Sequence, residues 1–307
     1  MARSCLKQVW IGGLLGLALA IGPGAGGAER VVLLKSQNSP QISEALEGFR
    51  SVCDEPLHEL DLRGKTDRKD DVLKAIREAQ PQIVVAFGPQ AAVTALANVG
   101  KLPLVFAMVP DPQKRGLQGS NIAGISLNIP AFVQFTNYTN LLLNVKKIGV
   151  IYDERKTGDL VKEAQVAAGK MGLELVAVSI SSEKAVKDAL NKLLAQDISA
   201  LWMIPDETVV TPVSFEFLRK ETSKNKIPFL AASDIFVQQG ALAGLSVDYK
   251  DLGRQAGEMV RRILKDGQPD GRLEAPAKVN LAVNRQTARQ LGAVVNEATV
   301  NAASKTY

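Results

Sequence analysis

The sequence predicts an α/β protein with two Rossmann-like lobes, each built on a parallel β-sheet. Three observations favour this fold class. Short apolar segments such as Ile83–Phe87 alternate with amphipathic segments, a pattern typical of parallel strands covered by helices on both faces. Without an N-terminal leader, about 280 residues remain, more than one hydrophobic core usually organises. Finally, one stretch of the alternating pattern recurs later in the chain.

The first 28 residues have the three parts of a secretory signal peptide. Arg3 and Lys7 supply positive charge, residues 9–21 are almost wholly apolar, and small residues at 26–28 offer a cleavage site. The apolar run is shorter than the roughly 20 residues that a membrane span needs. We therefore expect an exported protein, periplasmic or otherwise extracytoplasmic, with an uncleaved anchor as the alternative.

From residue 30 onward, strands and helices are predicted in turn. The helices follow from apolar residues that recur on one face, such as Ile42, Leu46 and Phe49 in the first of them. In the first half, the predicted strands are 30–34, 58–62, 83–87 and 104–109, and the predicted helices are 40–52, 67–78 and 90–99. The strand at 58–62 is the weakest of these, because charged residues interrupt it.

The pattern restarts near residue 130. The predicted strands of this half are 147–152, 174–178, 200–204, 229–231, 241–245 and 278–283. The predicted helices are 132–144, 158–171, 182–194, 212–225, 252–265 and 286–291. Ser182 is a plausible cap for the helix it begins, and Gly292 ends the last helix.

Residues 79–111 and 195–234 resemble each other in layout. Each has a strand, a turn, a helix, an apolar residue followed by proline, a second strand and then an aspartate. Ligands of open α/β sheets bind beyond the carboxyl ends of the strands, so two such lobes facing each other predict a cleft lined from both sides. The alternative is that any α/β protein contains similar stretches by chance.

Composition excludes several classes of partner and site. Without Arg3 and Lys7, the 37 Lys+Arg residues become 35 against 32 Asp+Glu, and no basic block stands out, so we expect no nucleic-acid partner. Cys53 is the only cysteine beyond the leader, which rules out an internal disulfide. A small buried residue is the favoured interpretation of Cys53, ahead of a reactive thiol.

The sequence lacks the residue sets of most enzymes. His58 is the only histidine, so neither a histidine metal site nor a Ser-His-Asp triad is supported. The glycine-rich nucleotide-binding patterns are absent, and we predict no cofactor. Carboxylate-dependent catalysis by Asp206 with Asp234 or Asp111 is the remaining catalytic alternative.

Eight short stretches, taken in order and spacing, carry a resemblance to a known family. They are GPQAA at 88–92, VPDP at 109–112, NIAGIS at 121–126, KIGVIY at 147–152, KIP at 226–228, GALA at 240–243, DYKDLG at 248–253 and residues 284–292. Together they resemble the substrate-binding proteins of ABC transporters, in the group that includes tryptophan and tyrosine receptors.

The resemblance implies a type I periplasmic-binding-protein clamshell, two lobes joined by a three-strand hinge near 126–130, 245–249 and 269–278. It divides the chain into a signal peptide at 1–28, a first lobe at 29–127 plus 248–270, a second lobe at 128–247 plus 276–300, and a tail at 301–307.

It further implies a monomeric importer component that captures a small polar solute, an amino acid or related compound, by hinge closure and delivers it to a membrane permease. A ligand sensor that presents its solute to a membrane receptor is the alternative.

A free amino acid presents a carboxylate and an ammonium, and both must be paired when buried. Ser39, Gly88 and Gln90 lie at predicted helix starts, where backbone N–H groups can donate hydrogen bonds to a carboxylate. Ser126, close to the hinge, offers a hydroxyl. The alternatives are a sharp turn at Gly88 and an ordinary hinge hydrogen bond at Ser126.

Four aspartates are candidates for the ammonium: Asp206 and Asp234 first, then Asp111 and Asp153. Each follows a strand, so capping a helix is the alternative role for every one of them. Tyr152 is a candidate for a flat apolar wall of the site.

Trp202 could supply a similar wall, although burial in the core is the favoured interpretation because it lies within a strand. The chain departs from the resembled family at Pro89, Pro110, Asp153 and the short loop 36–39, all near the expected site. The resemblance therefore supports the fold of this chain more strongly than it supports the identity of the ligand.

Overall fold

The computed structural model describes residues 30–65 and 67–307, which form two β-sheets with helices on both faces. The predicted signal segment lies outside the described residues. Thirteen strands are described: β1 Val31–Lys35, β2 Leu57–Asp61, β3 Ile83–Phe87, β4 Leu104–Val109, β5 Ile122–Ser126, β6 Lys147–Tyr152, β7 Glu174–Ser179, β8 Ala200–Trp202, β9 Phe229–Ala231, β10 Ala243–Val247, β11 Leu273–Glu274, β12 Val279–Val283 and β13 Lys305–Thr306.

Eleven α-helices are described: α1 Pro40–Arg50, α2 Lys69–Ala79, α3 Pro89–Leu96, α4 Ala131–Leu141, α5 Glu154–Lys170, α6 Val186–Leu194, α7 Pro212–Lys224, α8 Asp234–Gln238, α9 Tyr249–Asp266, α10 Arg285–Leu291 and α11 Glu297–Asn301. Proline occupies the first position of α1, α3 and α7. A backbone N–H at that position would have no acceptor within the helix, so its absence in proline costs no hydrogen bond.

The first sheet has the order β11-β5-β4-β3-β1-β2, with every described pair parallel. The second has the order β13-β12-β10-β9-β8-β6-β7. It is parallel except that β12 runs antiparallel to β10. The predicted α/β class with two mostly parallel sheets is thus confirmed, with this one reversed strand as the exception.

Alternating side chains of β1 explain why the first sheet needs helices on both faces. Val31 and Leu33 pack with residues of α1 and α9, whereas Val32 and Leu34 pack with α2 and α3. A strand buried on both faces reads as an uninterrupted apolar run, which is the pattern that the sequence displays here.

Helices α1 and α9 pack so closely that their backbones touch. A Cβ atom at Gly253 would lie 1.7 Å from the backbone oxygen of Ala45, and one at Gly48 would lie 1.8 Å from that of Lys250. Only glycine leaves room for this approach. The contact fixes α9, which comes late in the chain, against the first helix.

The chain passes between the sheets three times: between β5 and α4, between β10 and α9, and between β11 and β12. The second and third passages lie side by side, since the Asp248 N–H donates to the Lys278 carbonyl at 3.3 Å.

Below, the first lobe means the first sheet with α1, α2, α3 and α9, and the second lobe means the rest. The lobe boundaries by residue number stay a prediction.

Several elements differ from the sequence-based expectation. Helix α5 begins at Glu154 instead of 158, because Asp153 caps it. Residues 301–307, expected as a tail, contain β13, which pairs with β12 at the edge of the second sheet. The short elements β11 and α11 carry too few residues for a periodic signal and were not predicted.

Candidate functional site

A cavity of about 230 Å³ lies between the two lobes. Pro110 and Leu127, which follow β4 and β5 of the first sheet, contribute to it, as do Met203 and Ala232, which follow β8 and β9 of the second. The cavity therefore contacts the carboxyl ends of parallel strands from both sheets, the usual position of a ligand in open α/β folds.

The lining of this inter-lobe cavity is mostly apolar and carries no carboxylate, ammonium or guanidinium group. Its polar members are Asn128, Gln134, Ser233, Ser246 and Tyr249. Its apolar members are Pro110, Leu127, Ile129, Leu160, Met203, Pro205, Ala232, Leu245 and Val247. Apolar walls with a few convergent polar groups are the usual composition of a small-molecule site.

The polar groups of the lining differ in their freedom to bind a solute. Gln134 accepts from the Trp202 indole N–H at 2.9 Å and donates to the Ile129 carbonyl at 2.8 Å, so its amide is already engaged. By contrast, the hydroxyls of Ser233, Ser246 and Tyr249 have no hydrogen-bond partner within the described part of the chain. Ser233 directly precedes α8, Ser246 lies in β10 and Tyr249 begins α9, and all three residues line the same cavity.

Three larger cavities, of about 470, 450 and 370 Å³, are each lined by one lobe alone. The first lies beside α10 and α11, the second beside the amino end of α5 and α6, and the third along α3 of the first lobe. A solute in any of them would contact a single lobe and none of the three passages. The inter-lobe cavity is therefore the candidate functional site.

Asp206 is fully buried and holds together two loops of the second lobe. One carboxylate oxygen accepts from the Asp153 N–H at 2.8 Å and from the Thr157 hydroxyl at 2.5 Å, while the other accepts from the Thr208 N–H at 2.8 Å. The carboxylate thus ties the loop after β8 to the start of α5, and its four lone-pair directions are largely used.

Asp153 is buried as well and is the N-cap of α5, the alternative role considered from the sequence. Its side chain accepts from the Arg155 N–H at 3.1 Å, pairs with the Arg155 guanidinium at 2.9 Å, and accepts from the Thr208 hydroxyl at 3.1 Å. The hydrogen bonds from Arg155 hold the pKa of Asp153 far below its usual value.

Asp234 lies in the first turn of α8 and pairs with the Lys305 ammonium of β13 at 2.5 Å. This hydrogen bond raises the pKa of Lys305, and Glu44 on α1 adds to the effect. Burial raises the pKa of Tyr249, with Asp234 and Glu44 contributing further. The Asp234–Lys305 pair therefore lies close to both lobes, but its carboxylate is already matched by a cation.

Asp111 and Ser126 are joined through Asn128 beside the cavity. The Asn128 amide donates to the Asp111 carboxylate at 2.6 Å, and the Asn128 N–H donates to the Ser126 hydroxyl at 3.0 Å. Asp111 is exposed, with a left-handed φ of 45°. The bond at Ser126 is the hinge hydrogen bond considered as its alternative role.

Ser39, Gly88 and Gln90 lie at the carboxyl end of the first sheet, Ser39 in the loop after β1, Gly88 directly after β3 and Gln90 in the first turn of α3. The Ser39 hydroxyl caps α1 by accepting from the Ile42 N–H at 3.2 Å. Gly88 turns the chain with a φ of 92° before α3. The Gln90 amide donates to the Gly64 carbonyl at 3.2 Å.

Ser36 was missed by the sequence analysis, although it follows β1 directly. Its buried hydroxyl accepts from the Ala91 N–H of α3 at 3.0 Å, and a Cβ at Gly88 would lie 2.6 Å from that oxygen. A serine after an apolar strand is the signal that could have found it.

Tyr152 and Trp202, the two aromatic side chains considered as walls of the site, do not line the inter-lobe cavity. The Tyr152 hydroxyl donates to Glu154 at 2.7 Å, and burial together with this bond raises the pKa of Tyr152 to about 12. Trp202 is buried against Phe135, with ring centroids 4.9 Å apart. The interpretation of Trp202 as a core residue is confirmed.

None of the nine predicted site residues lines the inter-lobe cavity. Four of them are nevertheless the direct chain neighbours of lining residues: Asp111 beside Pro110, Ser126 beside Leu127, Asp206 beside Pro205 and Asp234 beside Ser233. Sequence reasoning thus found four of the loops that border this cavity, although the side chains that line it are the neighbours of those predicted. The roles proposed for those nine residues in ligand binding stay predictions.

One hydrogen bond crosses the mouth of the cleft. The Lys114 ammonium, in a short 3₁₀ helix after β4, donates to the carbonyl of Lys156 in α5 at 2.7 Å. It links the two lobes directly, on the same side as the loops after β4 and β6.

Within residues 30–65 and 67–307, no helix combines the length and hydropathy needed to cross a bilayer. The same residues contain no cluster of three or more histidine, cysteine, aspartate or glutamate side chains that could hold a metal ion.

Comparison with known proteins identifies the family. Residues 59–307 match the family described as ABC transporter substrate binding protein. The chain belongs to this family. This match confirms the resemblance seen in the sequence. The family comprises extracytoplasmic solute-binding proteins and not enzymes.

This substrate-binding protein is 28% identical over 221 residues to a tyrosine-binding protein of Clostridioides difficile. The match covers 68% of this chain and spans 62% of the relative's length.

Solved structures share the fold. The ABC domain in complex with L-Trp from Streptococcus pneumonia superposes with a TM-score of 0.59 at 21% identity, covering 90% of this chain and 99% of that one. A ligand-free, open substrate-binding protein with adhesive properties from Clostridium difficile reaches a TM-score of 0.74 at 20% identity, covering 91% and 99%.

Proposed function

We propose that this substrate-binding protein is the solute-capturing component of an ABC importer and closes its two lobes around a small polar solute, an amino acid or a related compound. The observation that carries the proposal is the inter-lobe cavity. It contacts strand ends of both sheets and two passages between the lobes, at Leu127–Ile129 and at Ser246–Tyr249.

The position of the cavity supports hinge closure as the mechanism. A solute there contacts groups of both lobes at once, and a ligand shifts a two-state equilibrium only by its difference in affinity for the two states. The paired second and third passages, joined at Asp248 and Lys278, supply a hinge of few residues. In this proposal the protein is a monomer and its partner is a membrane permease.

The relatives support the solute class. One is named for tyrosine binding and another was solved with L-Trp. We transfer to this chain only the broader class, an amino acid or a related small compound.

A melting screen tests the proposed function. The purified protein is heated with amino acids, amines, nucleosides and small sugars, and each hit is followed by small-angle X-ray scattering. A solute at a hundred times its Kd stabilises the folded state by about 2.7 kcal/mol, a clear rise in Tm. We expect at least one hit that also lowers the radius of gyration. A panel in which no compound changes either quantity contradicts solute capture.

A further inference from the structure

The inter-lobe cavity offers no charged partner to a solute. Of its described lining residues only Tyr249 is ionisable, and burial raises the pKa of its phenol, so it is neutral at physiological pH. An ion taken out of water without a partner loses several kcal/mol of solvation. A solute that carries charge into this cavity is therefore penalised unless a group outside the lining compensates it.

The carboxylates that surround the cavity are already paired. Asp206 accepts three hydrogen bonds from the second lobe, Asp153 is matched by Arg155, and Asp234 by Lys305. Asp111 accepts from the Asn128 amide. Recruiting one of them for an ammonium group would break an existing bond, and for Asp206 it would leave buried N–H donors unsatisfied.

Two of the three segments that follow the central strands of the first sheet are uncharged. Residues 36–39 after β1 read Ser-Gln-Asn-Ser, and residues 88–90 after β3 read Gly-Pro-Gln. The segment after β4 is charged, but Asp111, Lys114 and Arg115 each already have a hydrogen-bond partner within the protein. The unengaged groups that the first lobe can bring towards the cavity on closure are therefore mainly amides and hydroxyls.

We infer that the cavity takes an uncharged solute with an apolar body, whose hydrogen-bonding groups are bound by the hydroxyls of Ser233, Ser246 and Tyr249. The inference rests on the proposed function and narrows its solute class to the uncharged relatives of amino acids, such as alcohols or amides. A hydroxyl both donates and accepts, so three of them match a hydroxyl, carbonyl or amide group. The nine apolar lining residues hold the body of the solute.

A matched series of compounds tests the charge preference. Three bodies, indole, phenol and isobutyl, are each presented as alcohol, amine, carboxylic acid and amino acid: for indole, tryptophol, tryptamine, indole-3-acetate and L-tryptophan. Titration calorimetry of the purified protein measures Kd for all twelve. We expect at least one alcohol to bind about tenfold or more tightly than each of its three charged counterparts.

Two outcomes overturn the inference. One is a charged compound that binds as tightly as the alcohol of the same body, in which case solute capture stands and only the charge class is wrong. The other is that none of the three alcohols binds. The broad melting screen distinguishes that result from a failure of solute capture itself, because it also contains amino acids, nucleosides and sugars.

Variants test two of the three hydroxyls. Ser246→Ala and Tyr249→Phe each remove one oxygen, and we expect each to weaken binding of the best alcohol about tenfold with little change in Tm. The exposed Ser182→Ala and Tyr307→Phe make the same chemical changes away from the cavity and should leave Kd unchanged. Unchanged affinity in both cavity variants overturns the role of the hydroxyls.

Discussion

At the scale of single residues, the carboxylates beside the cleft already form hydrogen bonds or ion pairs within the protein. These bonds would have to break before the carboxylates could bind a solute. Asp206 was the leading candidate for an ammonium group, yet its oxygens accept from Asp153, Thr157 and Thr208. A carboxylate placed after a strand has the same sequence signature in both roles, because a helix start and a ligand both present donors to it.

Replacing Asp206 by alanine should destabilise the fold. The change leaves the buried Asp153 N–H and the half-buried Thr208 N–H without partners and removes a bond of the Thr157 hydroxyl, at a cost of about 2–4 kcal/mol in the free energy of unfolding. Urea unfolding measures it. Asp266→Ala is the matched control, since that carboxylate is exposed at the end of α9, and should change the free energy by less than about 0.5 kcal/mol. Equal midpoints for the two variants would contradict the structural role.

Asp153 should make stability depend on pH in the acid range. Its pKa is lowered on folding, so its contribution is complete above the unfolded pKa of about 3.9 and is lost as pH falls towards the folded pKa. Asp153→Asn removes this contribution. We expect the difference in urea midpoint between the wild type and this variant to shrink as pH falls from 5 to 2.5. Parallel pH profiles would show that the pairing with Arg155 is not maintained in solution.

For four of the nine predicted residues, the sequence came within one position of a residue that lines the inter-lobe cavity. Asp206 and Asp234 were chosen because charged residues stand out after apolar strands, while their neighbours Pro205 and Ser233 line the cavity. Adjacent residues in an extended segment point in opposite directions, so which of two neighbours faces the cleft depends on the exact strand end. Strand ends are the least certain part of a sequence-based prediction.

At the scale of elements, the pairing of α1 with α9 is the tightest packing of helices described here. Gly48 and Gly253 permit backbone contact between them. Sequence periodicity predicted both helices, at 40–52 and 252–265, but not that they meet, because no local pattern encodes a contact between such distant segments.

Gly253→Ala should separate these two helices. The new Cβ would lie 1.7 Å from the Ala45 oxygen, so the helices must move apart, and we expect at least about 2 kcal/mol of destabilisation by urea unfolding.

Gly169→Ala in α5 is the matched control for that change. A Cβ there meets nothing within 4 Å, and the higher helix propensity of alanine should stabilise the protein by about 0.5–1 kcal/mol. Equal destabilisation by both variants would contradict helix packing as the cause, because Gly169→Ala creates no close contact.

At the scale of the whole molecule, the lobes are connected by three chain passages and by the bond from Lys114 to the Lys156 carbonyl. This bond exists only when the lobes approach each other on that side of the cleft. It therefore stabilises closer arrangements of the lobes over wider ones.

Lys114→Ala should shift the protein towards wider arrangements. One exposed, charge-assisted hydrogen bond contributes about 0.5–1 kcal/mol, a two- to fivefold change in the ratio of the two arrangements. We expect a larger radius of gyration in small-angle X-ray scattering, measured without added solute. Lys101→Ala removes an exposed lysine at the amino end of β4, away from the cleft, and should leave the scattering unchanged. Identical curves for all three proteins would show that the bond does not restrain the lobes.

The backbone contact between α1 and α9 also determines the order in which the molecule can assemble. Glu47 and Lys250, which form an ion pair across these helices, are 203 residues apart. Closing so long a loop costs entropy before any contact compensates it, and such contacts slow folding. Strands β6 to β10 of the second lobe are contiguous in the chain and can pair before α9 is present, whereas β1 to β5 of the first sheet remain partly uncovered on one face until α9 packs against them. Both lobes are completed by late segments of the chain: the first by α9, and the second by β12 and β13.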